Sequence, residues 1–512
     1  MTVRTSLNST FFKSILITVF VFLTYPWGST LSRKPFIEDA WYGFTIARNY
    51  ANGFGITIDG IQETNGFQPL QVLIDSFLFK ITNSDDFALE LAFSLRLLMH
   101  VCSAQIFANL VARLNFHERN TPFCVFSFAV YLFHPGIITS ALNGLETGLL
   151  LFLFLMFIKH LLCLTSQESR VSPSVITTTY AIVLIYTRID MIILIACVLI
   201  WYFLSISKRA CVGIIVTLSM AIAPWLTWNY RNFDSVVPIS GQQQLEPLFS
   251  VSRMFHMMKA SLYNVSPWLG STYDQRNFSL EVAFFLFRVL FFVWVLRIVL
   301  SGRDLSKFTR FTSDSLIHLR SIGSHFGLIV ALLLGMLILC SYYSLMTFST
   351  YFYQRYSILL APLTLLLILA NVNVSTLAHR VIAVAALLIS AFTFFNFYQS
   401  NANENRLYDD QVMLVLNSIP ENEIVGARQS GTLGYFRSRV INLDGKVNPM
   451  APKSSFAMGR YLKTQQVNWL CDWPSELAKI LTYYETDWRI FENNSTVVCL
   501  KRNQENHRKR FP

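Results

Sequence analysis

Residues 36–55, "FIEDAWYGFTIARNYANGFG", place two adjacent carboxylates, Glu38 and Asp39, just after an apolar run. Aromatics, Arg48, Asn49 and the Gly53/Gly55 turn follow, and then "ETNGFQPL" with Glu63, Thr64, Asn65 and Pro69. A carboxylate can take a proton from a hydroxyl as a general base. A neighbouring one can orient it, bind the acceptor or help hold a divalent cation. Other polar groups stand at the ends of apolar runs, where ionisable residues are costly and tend to be functional. These are Glu146 in "NGLETGL", Arg188 and Asp190 in "YTRIDM", Asn229 and Arg231 after "PWLTW", and Arg355 in "YFYQRY". Each also has a plain structural reading. Glu146 can sit at a helix N-terminus, Arg188 and Asp190 can pair with each other, and Arg231 and Arg355 can meet lipid headgroups. Arg288 and Arg297 read as structural or snorkelling. The glycines can simply make a turn, and the Tyr and Trp residues an interfacial belt. The accumulation after residue 36 asks for more than a turn or a belt.

The elements that must carry these residues are membrane helices. The 512 residues are 53% hydrophobic and 14% charged, with 44 Phe; soluble domains carry about 25% charged residues. Apolar runs of bilayer-spanning length recur to about residue 398. The net charge of +11 reads as Lys and Arg in cytoplasmic loops, not as nucleic-acid binding. The first run, after Arg4 and Lys13, reads as an uncleaved signal anchor, with the N-terminus inside. "PLQVLIDSFLFKI" is short, contains Asp75 and Lys80, and reads as an amphipathic surface helix. Further runs lie at 87–110, 122–138, 145–164, 174–187, 190–206, 210–228, 281–301, 326–348, 355–372 and 379–398. Together they predict roughly eleven transmembrane helices in residues 1–400. Three segments fall outside the cytoplasm: 31–86, 231–280 and the tail 401–512. In the tail "QVMLVLNSIP" has helix spacing, and "EIVGA", "RVINL" and "TVVCLKR" are short β-branched runs, so it reads as a small extracytoplasmic α/β domain. "NLDGKVN" puts Asp444, Lys446 and Asn448 in a turn. Cys471 and Cys499 in this tail could pair, but spacing alone does not decide it.

"IEDAWYGFTIARNYANGFGITIDGIQETNGFQPL" resembles the first outer loop of bacterial GT-C glycosyltransferases that use polyprenyl-phosphate sugars. "NGLETGL", "TRIDM", "NYRNFDSVVPISGQ" and "QSGTLGYFRSRVINLDGKVN" resemble later blocks of that group, in the same order. Mycobacterial arabinofuranosyltransferases, protein O-mannosyltransferases and lipid A aminoarabinose transferases are similar more distantly. The resemblance implies an α-helical polytopic membrane protein of GT-C fold. Its function would be to move a sugar from a polyprenyl-phosphate donor to a lipid- or glycan-linked acceptor outside the cytoplasmic (inner) membrane, within cell-envelope glycan biosynthesis. Asp39 matches the family's catalytic acidic position, which implies that it is the general base. Glu38 stands where related sequences often have a second Asp, which leaves the metal open: Glu38 and Asp39 could hold a divalent cation. Arg48, Asn65, Glu146, Arg188, Asp190, Arg231, Arg355, Asp444 and Asn448 are the substrate-binding candidates, with membrane lipids as the remaining partner. The rival readings are a lipid-linked sugar flippase or transporter, which would keep charges near the midplane in matching halves, and a non-catalytic glycan-binding envelope protein.

Overall fold

The structure is a computed structural model. It describes residues 2–24, 35–114, 121–165, 173–266, 315–371, 392, 406–481, 487–494 and 496–503. The runs expected at 281–301 and 379–398, with Arg288 and Arg297, lie outside the described residues, apart from residue 392 within the second run.

Helices dominate. Four described helices are long and apolar enough to cross a membrane: Asp85–Leu114, Thr147–Leu164, Lys208–Phe233 and Gly327–Met346. Two bent pairs, Phe123–Leu132 with Pro135–Leu142 and Thr350–Tyr356 with Leu360–Ala370, bring the number to six if each pair is one crossing. Phe12–Phe22, Ser174–Thr187 and Met191–Ser205 are apolar but shorter. The first bend has a local cause. Pro135 has no N–H to continue the preceding helix, and His134 caps the next one by accepting from the Ile137 amide at 3.2 Å. The chain is thus a multi-pass helical membrane protein, and among the described residues the crossings number fewer than the eleven expected.

Three elements set up the candidate site. Helix α1 (Glu38–Ala51) begins with the two carboxylates in its first turn, where negative charge complements the helix dipole. Helix α2 (Pro69–Ile81) starts on Pro69, whose fixed φ suits a first helical turn. Its buried side mixes polar and apolar residues, with Val72 and Phe79 among them. Leu73, Phe77 and Ile81 are exposed, whereas Gln71, Asp75 and Ser76 are buried. Asp75, expected to meet water on a surface helix, instead takes two hydrogen bonds from buried Arg96, at 3.1 and 2.8 Å. Arg96 also donates to the Gly144 carbonyl at 2.8 Å, so the pair ties α2 to the 143–146 turn.

The C-terminal residues 406–503 form a five-stranded sheet in the order β2-β1-β3-β5-β4. Strand β1 is Val425–Ala427, β2 Val440–Asn442, β3 Trp469–Asp472, β4 Trp488–Asn493 and β5 Val498–Arg502. The first three run parallel, and β5 and β4 are antiparallel additions. Residues 406–418 are helical, and a short helix, α3 (Gly431–Phe436), follows β1. Cys471 and Cys499 face each other across β3 and β5 and form a disulfide.

Candidate active site

Glu38 and Asp39 point to different partners. The Glu38 carboxylate is buried and accepts the Gly431 amide at 2.5 Å, the Thr432 amide at 3.0 Å and the Thr432 hydroxyl at 2.5 Å. Burial pushes its pKa up to about 7, against the pull of those donors. Glu38 therefore clamps α1 to the start of α3. Gly431 is needed there, because a Cβ would fall 2.5 Å from the Glu38 carbonyl oxygen. Beneath the clamp, Tyr42 Oη receives Asn442 Nδ2 at 3.1 Å, and Asn442 also donates to Ser430 Oγ at 2.9 Å. Trp41 lies against Tyr435 and Phe436, with ring centroids 4.9 and 5.3 Å apart.

Asp39 is left open to chemistry. Its side chain is 19% exposed, and Lys446 Nζ donates to Oδ1 at 3.1 Å. The same ammonium lies 3.6 Å from Asp444 Oδ2 and 5.6 Å from the centre of the Phe352 ring. Burial alone would lower the Lys446 pKa, but Asp39 and Asp444 outweigh it and hold the pKa above the ordinary lysine value. Burial raises the Asp444 carboxyl despite Lys446. Lys446 is thus a fixed cation between two carboxylates.

Three chain segments wedge it in place. A Cβ on Gly66 would come 2.2 Å from the Lys446 carbonyl oxygen, and one on Gly445 2.7 Å from Gln243 Nε2. Gly445 also needs its φ of +80°, which glycine adopts without steric cost. Asn65 locks the first loop from the other side. Its Oδ1 accepts the Ile239 amide at 3.0 Å, and its Nδ2 donates to Asn229 Oδ1 at 3.1 Å.

A second polar group stands beside the first. Arg355 donates to both Glu146 oxygens at 2.7 Å, and Arg188 approaches Glu146 at 3.8 Å. Arg188 also pairs with Asp190, which accepts Tyr343 Oη at 2.6 Å. Tyr343 stacks on Tyr356 at 3.6 Å, and the Arg188 guanidinium lies 5.1 Å from the Tyr356 ring centre. Two contacts join this group to Asp39. The Ile37 amide donates to the Asn143 carbonyl at 3.1 Å, and a Cβ on Gly144 would fall 2.7 Å from Ala40 Cβ. Phe352, under Lys446, precedes Arg355 by three residues.

The structure therefore brings together Glu38, Asp39, Glu146, Arg188, Asp190, Arg355 and Asp444. The remaining candidates stand elsewhere or are engaged differently. Arg48 pairs with Asp85 at 3.0 Å and lies over the Tyr435 ring at 4.3 Å. Asn448 donates to the Asn442 carbonyl and to Tyr461 Oη, both at 2.8 Å. Arg231 is exposed, with no hydrogen bond or ion pair among the described residues. Lys446 was legible only as a turn residue; no short-range pattern signals a partner 407 positions away.

The donor set does not fit a divalent cation. Both Glu38 oxygens are taken by protein donors. Asp39, the other expected ligand, is paired with the Lys446 ammonium, which also lies beside Asp444. Among the described residues no three His, Cys, Asp or Glu side chains group closely enough to ligate a metal.

The polytopic helical bundle with its C-terminal α/β segment is a fold that known membrane-protein structures share. The chain is similar to the Archaeoglobus fulgidus oligosaccharyltransferase in its apo form, at 11% identity over 97% of this chain and 75% of that one, with a TM-score of 0.52. The same enzyme, AglB, in complex with an inhibitory peptide and a dolichol-phosphate, matches at 12% over 97% and 74%, TM-score 0.51. Its complex with Zn and sulfate matches at 13% over 96% and 73%, TM-score 0.50. ArnT from Cupriavidus metallidurans bound to undecaprenyl phosphate is 12% identical over 98% of both chains, with a TM-score of 0.48. No protein-family model matches the chain, and no curated protein is similar to it in sequence. The chain shares its overall fold with the Archaeoglobus fulgidus oligosaccharyltransferase.

Proposed function

We propose that the protein is a membrane glycosyltransferase that moves a sugar from a polyprenyl-phosphate donor to a hydroxyl of a lipid- or glycan-linked acceptor. The observation that carries this reading is Asp39, one partly open carboxylate at a helix start with a fixed ammonium beside it, in a chain with the GT-C fold. AglB, which shares the fold, has been solved with a dolichol-phosphate. A phosphate is a good leaving group and needs no acid to protonate it, unlike the glycosidic oxygen of a hydrolase, which uses two carboxylates. One base is enough. Asp39 takes the acceptor proton as the hydroxyl oxygen attacks the anomeric carbon, and the bond to the phosphate oxygen breaks with inversion. Glu38 holds α1 in place. Arg355 and Arg188 flank the site and suit phosphate recognition, with Glu146 and Asp190 orienting them. The reaction belongs on the outer face of the cytoplasmic membrane, with residues 401–512 outside and the N-terminus inside.

The test is sugar transfer in nanodiscs, using a panel of radiolabelled polyprenyl-phosphate sugars and an envelope lipid extract as acceptor. Wild type should transfer from one donor. Asp39→Asn should lose about a hundredfold or more, the size of a general-base contribution. Equal rates for the two proteins would remove Asp39 from the mechanism.

A further inference from the structure

The misfit between the carboxylates and a divalent cation points to the group that takes the cation's place. We propose that Lys446, carried by the C-terminal α/β segment, is the fixed cation that neutralises the leaving phosphate, so that transfer proceeds without a divalent metal. This rests on the glycosyltransferase reading given above.

The geometry has three parts. Lys446 Nζ lies 3.1 Å from Asp39 Oδ1 and 3.6 Å from Asp444 Oδ2, so the ammonium sits beside the atom that takes the acceptor proton. An ammonium has three donors and no acceptor. One goes to Asp39, Asp444 lies just beyond hydrogen-bond length, and the Lys446 side chain is 24% exposed, which leaves a donor for a ligand. The position is also built rather than incidental. The Lys446 backbone is pressed on Gly66 and its neighbour Gly445 on Gln243, and the Phe352 ring lies 5.6 Å from Nζ.

The charge changes run in sequence. Before reaction Asp39, Asp444 and Lys446 sum to one negative charge. Asp39 becomes neutral as it takes the acceptor proton, and its hold on the ammonium weakens. The acceptor oxygen's electron pair forms the new bond to the anomeric carbon. The pair of the breaking carbon–oxygen bond leaves on the phosphate, and Lys446 turns an N–H to that oxygen. Asp444 keeps the lysine charged and in place. Nothing is oxidised or reduced, and the polyprenyl monophosphate leaves with its added charge met by the ammonium. A preorganised donor aimed at developing charge is worth roughly 10²–10³ in rate.

The test uses the full-length protein in nanodiscs with undecaprenyl monophosphate as the binding probe, each measurement run with EDTA and with added Mn²⁺. Wild type should bind equally under both conditions. Lys446→Met should weaken binding at least tenfold and transfer about a hundredfold, and Lys446→Arg should keep most of the binding. Lys446→Asp should gain Mn²⁺ dependence, which a merely structural lysine would not confer. EDTA loss of wild-type binding or transfer, restored by Mn²⁺, would overturn the proposal, as would a folded Lys446→Met that binds like wild type. Should the Met variant fail to fold, the EDTA comparison on wild type and Lys446→Arg still decides. Metal-free binding by wild type with no transfer from any donor would sink the transferase reading and leave the phosphate site standing. Metal-dependent transfer would do the reverse.

Discussion

Adding one methyl group at Gly66 should silence the site while leaving the fold intact. A Cβ there would sit 2.2 Å from the Lys446 carbonyl oxygen, 3.1 Å from Val447 Cα and 3.2 Å from Ile239 Cγ1. Non-bonded heavy atoms settle near 3.5–4.0 Å, so the 444–447 loop must retreat by roughly 1 Å. Two of the three atoms it meets are backbone, which cannot turn aside as a flexible side-chain tip can. Gly66 is absent from the positive-φ residues, so alanine suits its backbone, and the effect comes from the contact alone. A retreat of that size stretches the 3.1 Å Lys446–Asp39 hydrogen bond past 3.5 Å, where it no longer counts as one. Misplacement by about 1 Å can cost a hundredfold in rate. Gly66→Ala should therefore lose about that much transfer, with a normal elution profile and a modest fall in unfolding temperature. Gly43→Ala is the control: it lies on the same helix as Asp39, and its Cβ would meet nothing within 4 Å. A Gly66→Ala enzyme as fast as Gly43→Ala would refute the claim that this turn seats Lys446 for catalysis.

Other outcomes follow from the same contacts. Arg96→Met strands the Asp75 carboxylate in a buried site and should destabilise the protein by about 3–5 kcal/mol, seen as a lowered thermal midpoint. Cys471→Ser removes a cross-link that spans 28 residues; the chain-entropy relation gives about 3.6 kcal/mol for that loop, measurable by denaturation with and without reductant. Glu38 and Asp472 both have pKa values pushed up to about 7 by burial, so the folded state binds more protons than the unfolded chain between the ordinary carboxylate range and neutrality. Their contribution is present in full at acid pH and fades as pH rises towards 7, with a slope up to about 1.4 kcal/mol per pH unit for each. Glu38→Gln and Asp472→Asn should flatten that slope, and a pH–stability profile steeper in the variants would contradict the assignment.

Much of this architecture is legible in the residues. Pro69 marks the start of a helix, the apolar runs mark helices where they are described, and strands β1, β2 and β5 lie within "EIVGA", "RVINL" and "TVVCLKR". The carboxylate pair was visible because its residues are neighbours in sequence. What escaped has physical causes. Asp75 looked like a water-facing charge, but the outward side of its helix is apolar and its partner, Arg96, lies 21 residues on. Strand β3, "WLCD", is buried at all four positions, so it shows no alternation; β4 is exposed at five of six and shows none either. Arg48 and Asn448 are polar residues in suggestive motifs, yet their hydrogen bonds go to neighbouring chain. Lys446 joins Asp39 only through tertiary packing, which no local pattern encodes.

The separation of 407 residues between Asp39 and Lys446 also sets the order of events during synthesis. At roughly 5–20 residues per second, the base emerges about 20–80 s before the lysine that completes its surroundings. Throughout that interval the nascent chain has a lone carboxylate and no ammonium beside it. On the proposed mechanism it stays inert while its helices enter the bilayer one by one. Only a chain extended past Lys446 can, on that mechanism, react. A product truncated before Lys446 would be a membrane protein without that ammonium.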